Sequence, residues 1–327
     1  MTHKQSALRS KTAGFRFVDF LRREESFEEA FLDGMKASPR AIPCRFLYDA
    51  QGSALFDRIC TLPEYYPTRT ELSILEAHAS DIAKIIGPGA ALIELGSGSS
   101  IKTRLLLDRM EAPAAYMPID VSREHLRAAA NGLAGDYPEI DVIAVCADYS
   151  AHFPLPAVDG RRVGFFPGST IGNLTHGEAR LLLAGWRERL GADGLMVVGV
   201  DLKKDPGRLL AAYDDAEGVT EAFIKNVLAR ANRELGADFD LSAFRYDVAW
   251  NEEAGRIEMR LEALADQSVE VAGERLFIGA GERIHVENSH KYAVAEFSAL
   301  ARRAGFSPRA VYIDPERLFS VHVLAAG

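Results

Sequence analysis

Cysteine is scarce in this sequence, and the spacing of the few cysteines excludes two common kinds of site. Cys44, Cys60 and Cys146 are an odd number without Cys-x-x-Cys spacing, so neither a disulfide framework nor a zinc site is favoured. The eight histidines also lack the His-x-x-x-His spacing of a metal site. We therefore expect no bound metal and a reducing, cytoplasmic location.

Basic clusters and long apolar runs are missing as well. Lys and Arg number 38 against 47 Asp and Glu, a formal net charge of −9, so nucleic acid and anionic membranes are poor candidate partners. No apolar run approaches the roughly 20 residues that cross a bilayer. The segment that carries Lys4, Arg9, Lys11 and Arg16 lacks the apolar stretch of a secretory signal and is predicted to be a solvated tail. We expect a monomer with a small-molecule partner.

What is present from residue 90 onward is a regular alternation of short apolar runs and helical patterns. Such repetition predicts a parallel sheet with helices on both faces. Strands are predicted at 90–95, 115–120, 141–147, 163–166 and 195–200, and helices at 102–110, 123–133 and 178–190.

The remaining segments have other patterns. Residues 15–85 are predicted to be mainly helical, with a loop at Tyr65-Tyr66-Pro67. After Asp201 two helices, a hairpin at 244–264 and further short strands predict an inserted α+β domain. A helix at 294–304 and strands at 309–313 and 319–324 close the chain. Because a turn joins these last strands, the seventh and final strand is predicted to be antiparallel to its sheet.

A glycine turn follows the first predicted strand, in Glu94-Leu-Gly96-Ser-Gly98-Ser-Ser100. Glycines there let the backbone approach a ligand at the carboxyl ends of the strands. A dinucleotide fingerprint needs a third Gly or Ala three residues after the second glycine, where this chain has Ile101. Glu94 would oppose a pyrophosphate and favour the cationic end of S-adenosylmethionine. The turn therefore favours a methyltransferase over a nicotinamide-dependent oxidoreductase.

Acidic residues follow the next two predicted strands. Asp120 ends the second strand and is placed to accept hydrogen bonds from ribose hydroxyls. Asp148 and Tyr149 follow the third strand and offer an acceptor for the adenine amine and a flat apolar wall.

Several longer motifs resemble the histidine-specific S-adenosylmethionine methyltransferase family, the first enzymes of ergothioneine synthesis. The likeness covers roughly residues 40–325. It is carried by Phe46-Leu-Tyr48-Asp49-x-x-Gly52-Ser53-x-Leu55-Phe56, Leu62-Pro-Glu-Tyr-Tyr-Pro-Thr-Arg-Thr-Glu71, Glu94-Leu-Gly-Ser-Gly98, Pro167-Gly-Ser-Thr-Ile-Gly-Asn173 and Ile284-His-Val-Glu-Asn-Ser-His-Lys-Tyr292.

The resemblance implies an α/β fold of the class I methyltransferase type: a Rossmann-like, mostly parallel seven-stranded sheet with an antiparallel last strand, plus an inserted α+β domain. Residues 1–200 and 287–327 would form the S-adenosylmethionine domain with an N-terminal helical cap, and residues 201–286 the substrate-recognition domain. The implied activity is trimethylation of the α-amino group of L-histidine to hercynine. The implied cofactor contacts are Gly96, Gly98, Lys102, Asp120, Asp148 and Tyr149.

Substrate contacts follow from the same resemblance. Tyr65 and Asn173 are the expected catalytic residues and, with Tyr213, surround the amino and carboxylate groups. Glu287 and Ser289 are expected at the imidazole, and Met259 at the pocket wall. Val286, where Thr is expected, and His290 are departures beside them. An aromatic wall that tolerates a methylated cation is predicted from Tyr65, Tyr66, Phe165 and Phe166.

Other interpretations of these residues remain open. Asn173 is also a plausible helix N-cap, Glu287 and Ser289 are also typical of a solvated strand edge, and Met259 is typical of core packing. A related methyltransferase acting on another free amino acid, or a non-catalytic S-adenosylmethionine-binding protein, has the same cofactor motifs.

Overall fold

The computed structural model describes residues 14–21, 26–98 and 101–327. Short 3₁₀ helices lie at Cys44–Leu47, Thr170–Asn173 and Leu241–Ala243. In chain order the other elements are β1 (Phe15–Asp19), α1 (Phe27–Lys36), β2 (Arg40–Ala41), α2 (Ala50–Ile59), α3 (Tyr66–Ile86), β3 (Ala91–Leu95), α4 (Ile101–Leu107), β4 (Ala115–Asp120), α5 (Arg123–Asp136), β5 (Asp141–Cys146), β6 (Arg162–Phe166), α6 (His176–Leu190), β7 (Leu195–Asp201), α7 (Pro206–Tyr213), α8 (Val219–Glu234), β8 (Phe244–Asn251), β9 (Arg256–Ala263), β10 (Gln267–Val271), β11 (Glu274–Ile278), β12 (Arg283–His290), α9 (Val294–Arg303), β13 (Ser307–Ile313) and β14 (Phe319–Ala325).

The central sheet has the order β1-β5-β4-β3-β6-β7-β14-β13. Its strands run parallel except β14, which is antiparallel to both β7 and β13. The predicted fold class is therefore confirmed, including the antiparallel last strand. Because β14 lies between β7 and β13, this end of the sheet is formed by the antiparallel pair β13 and β14.

The N-terminal edge of this sheet differs from the prediction. β1 adds an eighth strand, parallel to β5, where the sequence predicted helix. Its hydrophobic side chains are only partly buried, as expected of an edge strand, so the apolar pattern was weak. Of the predicted solvated tail, Arg16 lies in β1, and Lys4, Arg9 and Lys11 lie outside the described residues.

Helices cover both faces of the sheet. Strands β3 and β7 are buried along their whole length, as strands between two layers of helices must be. Buried residues of α3, α4 and α5 pack on one face. Those of α6 and α9 pack on the other.

A second hydrophobic core surrounds a smaller sheet of order β2-β12-β9-β8. The predicted hairpin is confirmed as the antiparallel pair β8 and β9. Helices α7 and α8 pack on it, and so do the N-terminal helices α1 and α2, which share this core and not that of the central sheet. The proposed division at residues 201 and 286 stays a prediction.

The central sheet and the smaller sheet meet where β7 ends. Leu202 forms a parallel bridge with Tyr292, just after β12, and the N–H of Lys203 donates to the Tyr292 carbonyl at 3.1 Å. This junction brings β12 beside the carboxyl ends of β6 and β7, where α/β folds hold their ligands. None of the helices in the described part of the chain is both long and apolar enough to cross a membrane.

Candidate active site

A pocket opens between the second core and the carboxyl end of β6. It brings together all six predicted substrate residues, which the sequence separates by up to 224 positions. The side chains come from the loop before α3, the 3₁₀ turn after β6, the end of α7, and the neighbouring strands β9 and β12. The lining residues are Tyr48, Phe56, Ile59, Tyr65, Gly168, Ser169, Thr170, Asn173, Tyr213, Thr220, Phe223, Met259, Glu287 and Ser289.

Strand β12 presents Glu287 and Ser289 on one face, because alternate residues of a strand point the same way. A register shift between His285 and Glu287 precedes them. Met259 pairs directly with Glu287 across the ladder. His290 is the residue after Ser289, so it points to the opposite face of β12, where its Nδ1 lies 2.9 Å from the Gly172 carbonyl oxygen. His290, a departure from the family motif, therefore contacts the turn that carries Asn173 from the side of β12 opposite Glu287 and Ser289.

Glu287 is buried and has a polar partner in the pocket. The Asn173 Nδ2 donates to Glu287 Oε1 at 2.8 Å. Burial raises the pKa of Glu287 to about 8, while the Lys291 ammonium acts in the opposite direction. In the ligand-free pocket this carboxyl group is therefore largely protonated at neutral pH.

Ser289 belongs to a hydroxyl pair. Its Oγ lies 2.8 Å from the Tyr213 Oη, and both oxygens accept hydrogen bonds from the Lys291 ammonium, at 2.8 and 2.6 Å respectively. Lys291 is wholly buried and forms an ion pair with Asp201 at 2.6 Å. Sequence reasoning missed this pair. The available signal was the spacing of Lys291, two residues beyond Ser289.

The aromatic wall differs in part from the prediction. Tyr65 lines the pocket, but Tyr66, Phe165 and Phe166 do not. Tyr66 donates its hydroxyl proton to Asp201, and the two phenylalanines lie in the hydrophobic cores. The rings that do line the pocket are Tyr48, Phe56, Tyr65, Tyr213 and Phe223.

The predicted cofactor residues lie at the carboxyl ends of β3, β4 and β5. Gly96 and Gly98 have positive φ angles of 74° and 39°, a conformation that glycine adopts without strain. Asp120 accepts from the Ser122 N–H at 2.9 Å, and burial raises its pKa. Asp148 accepts from the Ser150 N–H at 2.7 Å. These positions suit a nucleoside with its ribose at Asp120.

Tyr149 forms a wall beside the glycine turn. A β-carbon added to Gly96 would lie 3.8 Å from the Tyr149 ring, and that ring packs edge-on against Phe166. Trp186 donates to the Tyr149 carbonyl at 3.0 Å. The ring is therefore fixed at the height of the turn, where a flat adenine needs a surface.

Lys102 links the two halves of the site. Its ammonium lies 2.6 Å from the buried Glu71 Oε2, and the same oxygen accepts from the Gly168 N–H at 2.8 Å. Gly168 lines the pocket. Glu71 therefore joins α4, the helix after the glycine turn, to the loop that borders the pocket.

Glu94 is buried inside the fold, and its role toward the cofactor stays a prediction. Its carboxyl group accepts hydrogen bonds from the hydroxyls of Thr103 and Tyr116 inside the fold. Burial raises its pKa to about 7, so the group carries only part of a charge at neutral pH. Its described contacts support the turn from below, through α4 and β4.

Sequence comparisons agree with this geometry. The model of the histidine-specific, SAM-dependent methyltransferase family matches residues 27–326. A histidine N-alpha-methyltransferase of Mycolicibacterium smegmatis is 45% identical over 288 residues, covering 86% of this chain and 89% of the relative. Its namesake in Mycobacterium tuberculosis is 41% identical, with 83% and 86% covered.

A longer fungal protein is also similar. Ergothioneine biosynthesis protein 1 of Neurospora crassa is 34% identical over 83% of this chain, which spans 31% of that protein's length. With a family model that spans the site and the sheet alike, the chain belongs to the histidine-specific, SAM-dependent methyltransferase family and is a SAM-dependent methyltransferase.

Proposed function

We propose that this enzyme transfers three methyl groups from S-adenosylmethionine to the α-amino nitrogen of L-histidine, giving hercynine for ergothioneine synthesis. The observation that carries the proposal is the placement of Glu287 and Ser289 on one face of β12, inside the pocket. The names of the mycobacterial relatives support the same substrate. The expected monomeric state and cytoplasmic location stay predictions.

A carboxylate and a hydroxyl match the two ring nitrogens of imidazole. The ionised Glu287 accepts from the ring N–H, and Ser289 pairs with the second nitrogen. A substrate without a ring donor would leave one oxygen of this buried carboxylate without a partner, since Asn173 donates only to Oε1. That loss costs about 1–3 kcal/mol, and more for a charged group. Met259, opposite Glu287, fills the side of the ring.

The amino-acid end of the substrate lies toward Tyr65, Asn173 and Tyr213 in this proposal. Asn173 is already held by Glu287, so its amide has one fixed orientation when the substrate enters. We propose that residues 201–286, with β12, form the recognition layer, and that the central sheet presents the methyl donor.

Positioning dominates the chemistry. S-adenosylmethionine supplies a methyl group activated by its sulfonium, and Gly96, Gly98, Lys102, Asp120, Asp148 and Tyr149 are the residues that would hold it. The chain must align a neutral amine nitrogen with that methyl group at roughly 3–3.5 Å. No protein nucleophile is needed. Tyr65 and Asn173 orient the amine lone pair once its proton has left.

Aromatic rings accommodate the change in charge at the nitrogen. Each methylation removes a hydrogen-bond donor, and the third leaves a fixed cation. A ring attracts such a cation without requiring a proton from it, by roughly 0.5–2 kcal/mol. Tyr48, Phe56, Tyr65 and Phe223 provide these rings.

Mass spectrometry of reaction products tests the proposal. The purified protein is incubated with S-adenosylmethionine and each of the free amino acids in turn, with Nα-acetylhistidine as a control that lacks a free amine. We expect one, two and then three methyl additions on histidine alone. Turnover of another amino acid with histidine untouched would reject the substrate, and cofactor binding without any turnover would reject catalysis.

A further inference from the structure

A buried ammonium group lies directly behind the part of the pocket that meets the substrate ring. Lys291 follows Ser289 by two residues on the same side of the chain, and its side chain has no exposed surface. Its Nζ contacts Asp201 Oδ2 at 2.6 Å, Tyr213 Oη at 2.6 Å and Ser289 Oγ at 2.8 Å. An ammonium has three protons, so these three partners use all of them.

The opposite side of Asp201 is also occupied. Its carboxylate accepts from the Tyr66 hydroxyl at 2.8 Å and from the Lys204 ammonium at 2.5 Å. Burial favours the neutral acid, but Lys291 and Lys204 together keep the pKa of Asp201 below its usual range. Asp201 therefore stays ionised, and its attraction keeps Lys291 charged: despite burial, the pKa of Lys291 is raised.

Proton counting restricts what the hydroxyl pair can do. Both oxygens accept from Lys291, and the two hydroxyls also bond each other. One hydroxyl proton lies between them, so a single proton is left over. Burial raises the pKa of Tyr213, but a phenolic hydroxyl is still more acidic than an alkyl hydroxyl, so Tyr213 donates to Ser289. The Ser289 oxygen then has both lone pairs filled and can offer the pocket only its proton.

We propose that Lys291 is a positioning and specificity-determining residue that fixes the Ser289 hydroxyl as a hydrogen-bond donor, so that the pocket selects a neutral ring with one donor and one acceptor nitrogen. Glu287 takes the ring N–H, and Ser289 donates to the unprotonated ring nitrogen. A doubly protonated imidazolium or a ring without an acceptor nitrogen leaves this donor without a partner. The inference rests on the proposed function, since it concerns how histidine is recognised.

A purely structural role for Lys291 predicts something different. The Lys291–Asp201 pair joins the end of β7 to the segment after β12, and its loss would loosen that junction for every substrate alike. The preference between substrate rings separates the two roles. Only a fixed donor at Ser289 makes the enzyme prefer a ring with an acceptor nitrogen over a ring without one.

Alanines substituted with heteroaromatic rings make this measurement possible. The pyrrol-2-yl and pyrrol-3-yl alanines keep a ring N–H at either ring position and lack the acceptor. The thiazol-4-yl and thiazol-5-yl alanines keep an acceptor nitrogen at either position and lack the donor. The first pair reports on the Ser289 donor and the second pair on Glu287.

The variant to compare is Lys291→Met, which leaves Asp201 paired with the Lys204 ammonium, so that no charge is left unpaired in the interior. In the wild-type enzyme we expect kcat/KM for histidine to exceed that for the better pyrrole analogue by about 10- to 100-fold. In the Lys291→Met variant this preference should fall by about tenfold, while the preference over the thiazoles is retained. An unchanged pyrrole preference, or an equal fall in both preferences, would overturn the inference.

A second measurement needs no variant. Ring-¹⁵N histidine bound to the wild-type enzyme with S-adenosylhomocysteine should show one protonated and one unprotonated ring nitrogen across pH 6 to 8. Two protonated nitrogens would contradict the fixed donor. If the wild-type enzyme does not methylate histidine at all, the proposed function is rejected. If it methylates histidine but the variant keeps the full preference over the pyrroles, only the inference about Lys291 is rejected.

Discussion

The cofactor edge and the substrate pocket of this enzyme are built in different ways. At the cofactor edge, the residues lie within a few positions of strand ends. The shape of this edge depends largely on backbone conformation, as the positive φ angles of Gly96 and Gly98 show. In the pocket, single side chains arrive from distant segments and are fixed by one another. Asn173 holds Glu287 across 114 residues, and Lys291 holds Tyr213 across 78.

This difference predicts how each region responds to substitution. A change at the cofactor edge should affect every substrate equally, because all of them use the same methyl donor. A change in the pocket should alter the choice between substrates. Glu71 is the exception, since it contacts both regions through Lys102 and Gly168.

The largest expected effect is the loss of the pocket carboxyl group. Glu287→Ala should lower kcat/KM for histidine by about 100-fold, since a buried hydrogen bond to a charged group is worth up to about 3 kcal/mol. Binding of S-adenosylhomocysteine, measured by calorimetry, should stay unchanged. Glu270→Ala, in an exposed ion pair on β10, is the matched control. Full activity in the Glu287 variant would remove this residue from the ring site.

Asp120→Ala tests the other side of the comparison. Losing the ribose acceptor should weaken S-adenosylhomocysteine binding by about tenfold, the usual size of such a hydrogen bond. The preference for histidine over the pyrrole and thiazole analogues should not move. Asp136→Ala, at the exposed end of α5, controls for the change in charge. A shift in ring preference would show that the two regions are not separate.

The sequence predicted where the proposed cofactor residues lie in the fold, because their signal is local. Strand, glycine turn and following acid lie in order along the chain, and the structure places them at one end of the sheet. The role of Glu94 toward the cofactor stays a prediction. The local pattern did not indicate its contacts with the hydroxyls of Thr103 and Tyr116, because these residues meet it only in the folded chain.

The pocket was predictable only where a motif could be matched to a known family. Residues that act through others were missed: Asp201 and Lys291 meet only after β7 and β12 have packed together. The aromatic wall shows the same limit. Tyr65 and Tyr66 are neighbours in sequence, yet one lines the pocket and the other donates to Asp201. The edge strand β1 was missed because its three hydrophobic residues are only partly buried and its other two residues are exposed.

Glu71→Leu should affect both regions moderately. Removing one partner of a buried ion pair typically costs about 3–5 kcal/mol of stability, and Lys102 is partly exposed, so the lower end is expected. The melting temperature should fall, and KM should rise for both S-adenosylmethionine and histidine. If KM changed for S-adenosylmethionine alone, the contact between Glu71 and Gly168 would have no effect on histidine binding. Glu76→Leu, an exposed site on the same helix, controls for the loss of a glutamate.

The last expected effect is a pH dependence of stability that comes from the pocket carboxyl group. Burial raises the pKa of Glu287 from its ordinary 4.5 to about 8. The folded state therefore binds the proton more tightly than the unfolded state, and stability from this group, fully present below pH 4.5, is lost as the pH rises through 8. Thermal unfolding of the ligand-free wild type and Glu287→Gln should thus diverge over this window, with the variant gaining relative stability as pH rises. Histidine reverses the trend in the wild type, because its ring N–H pairs with the ionised carboxylate. Parallel unfolding profiles of the wild type and Glu287→Gln would mean that Glu287 does not titrate in the pocket. Wild-type profiles that stay parallel with and without histidine would mean that the ring N–H pairs with another acceptor.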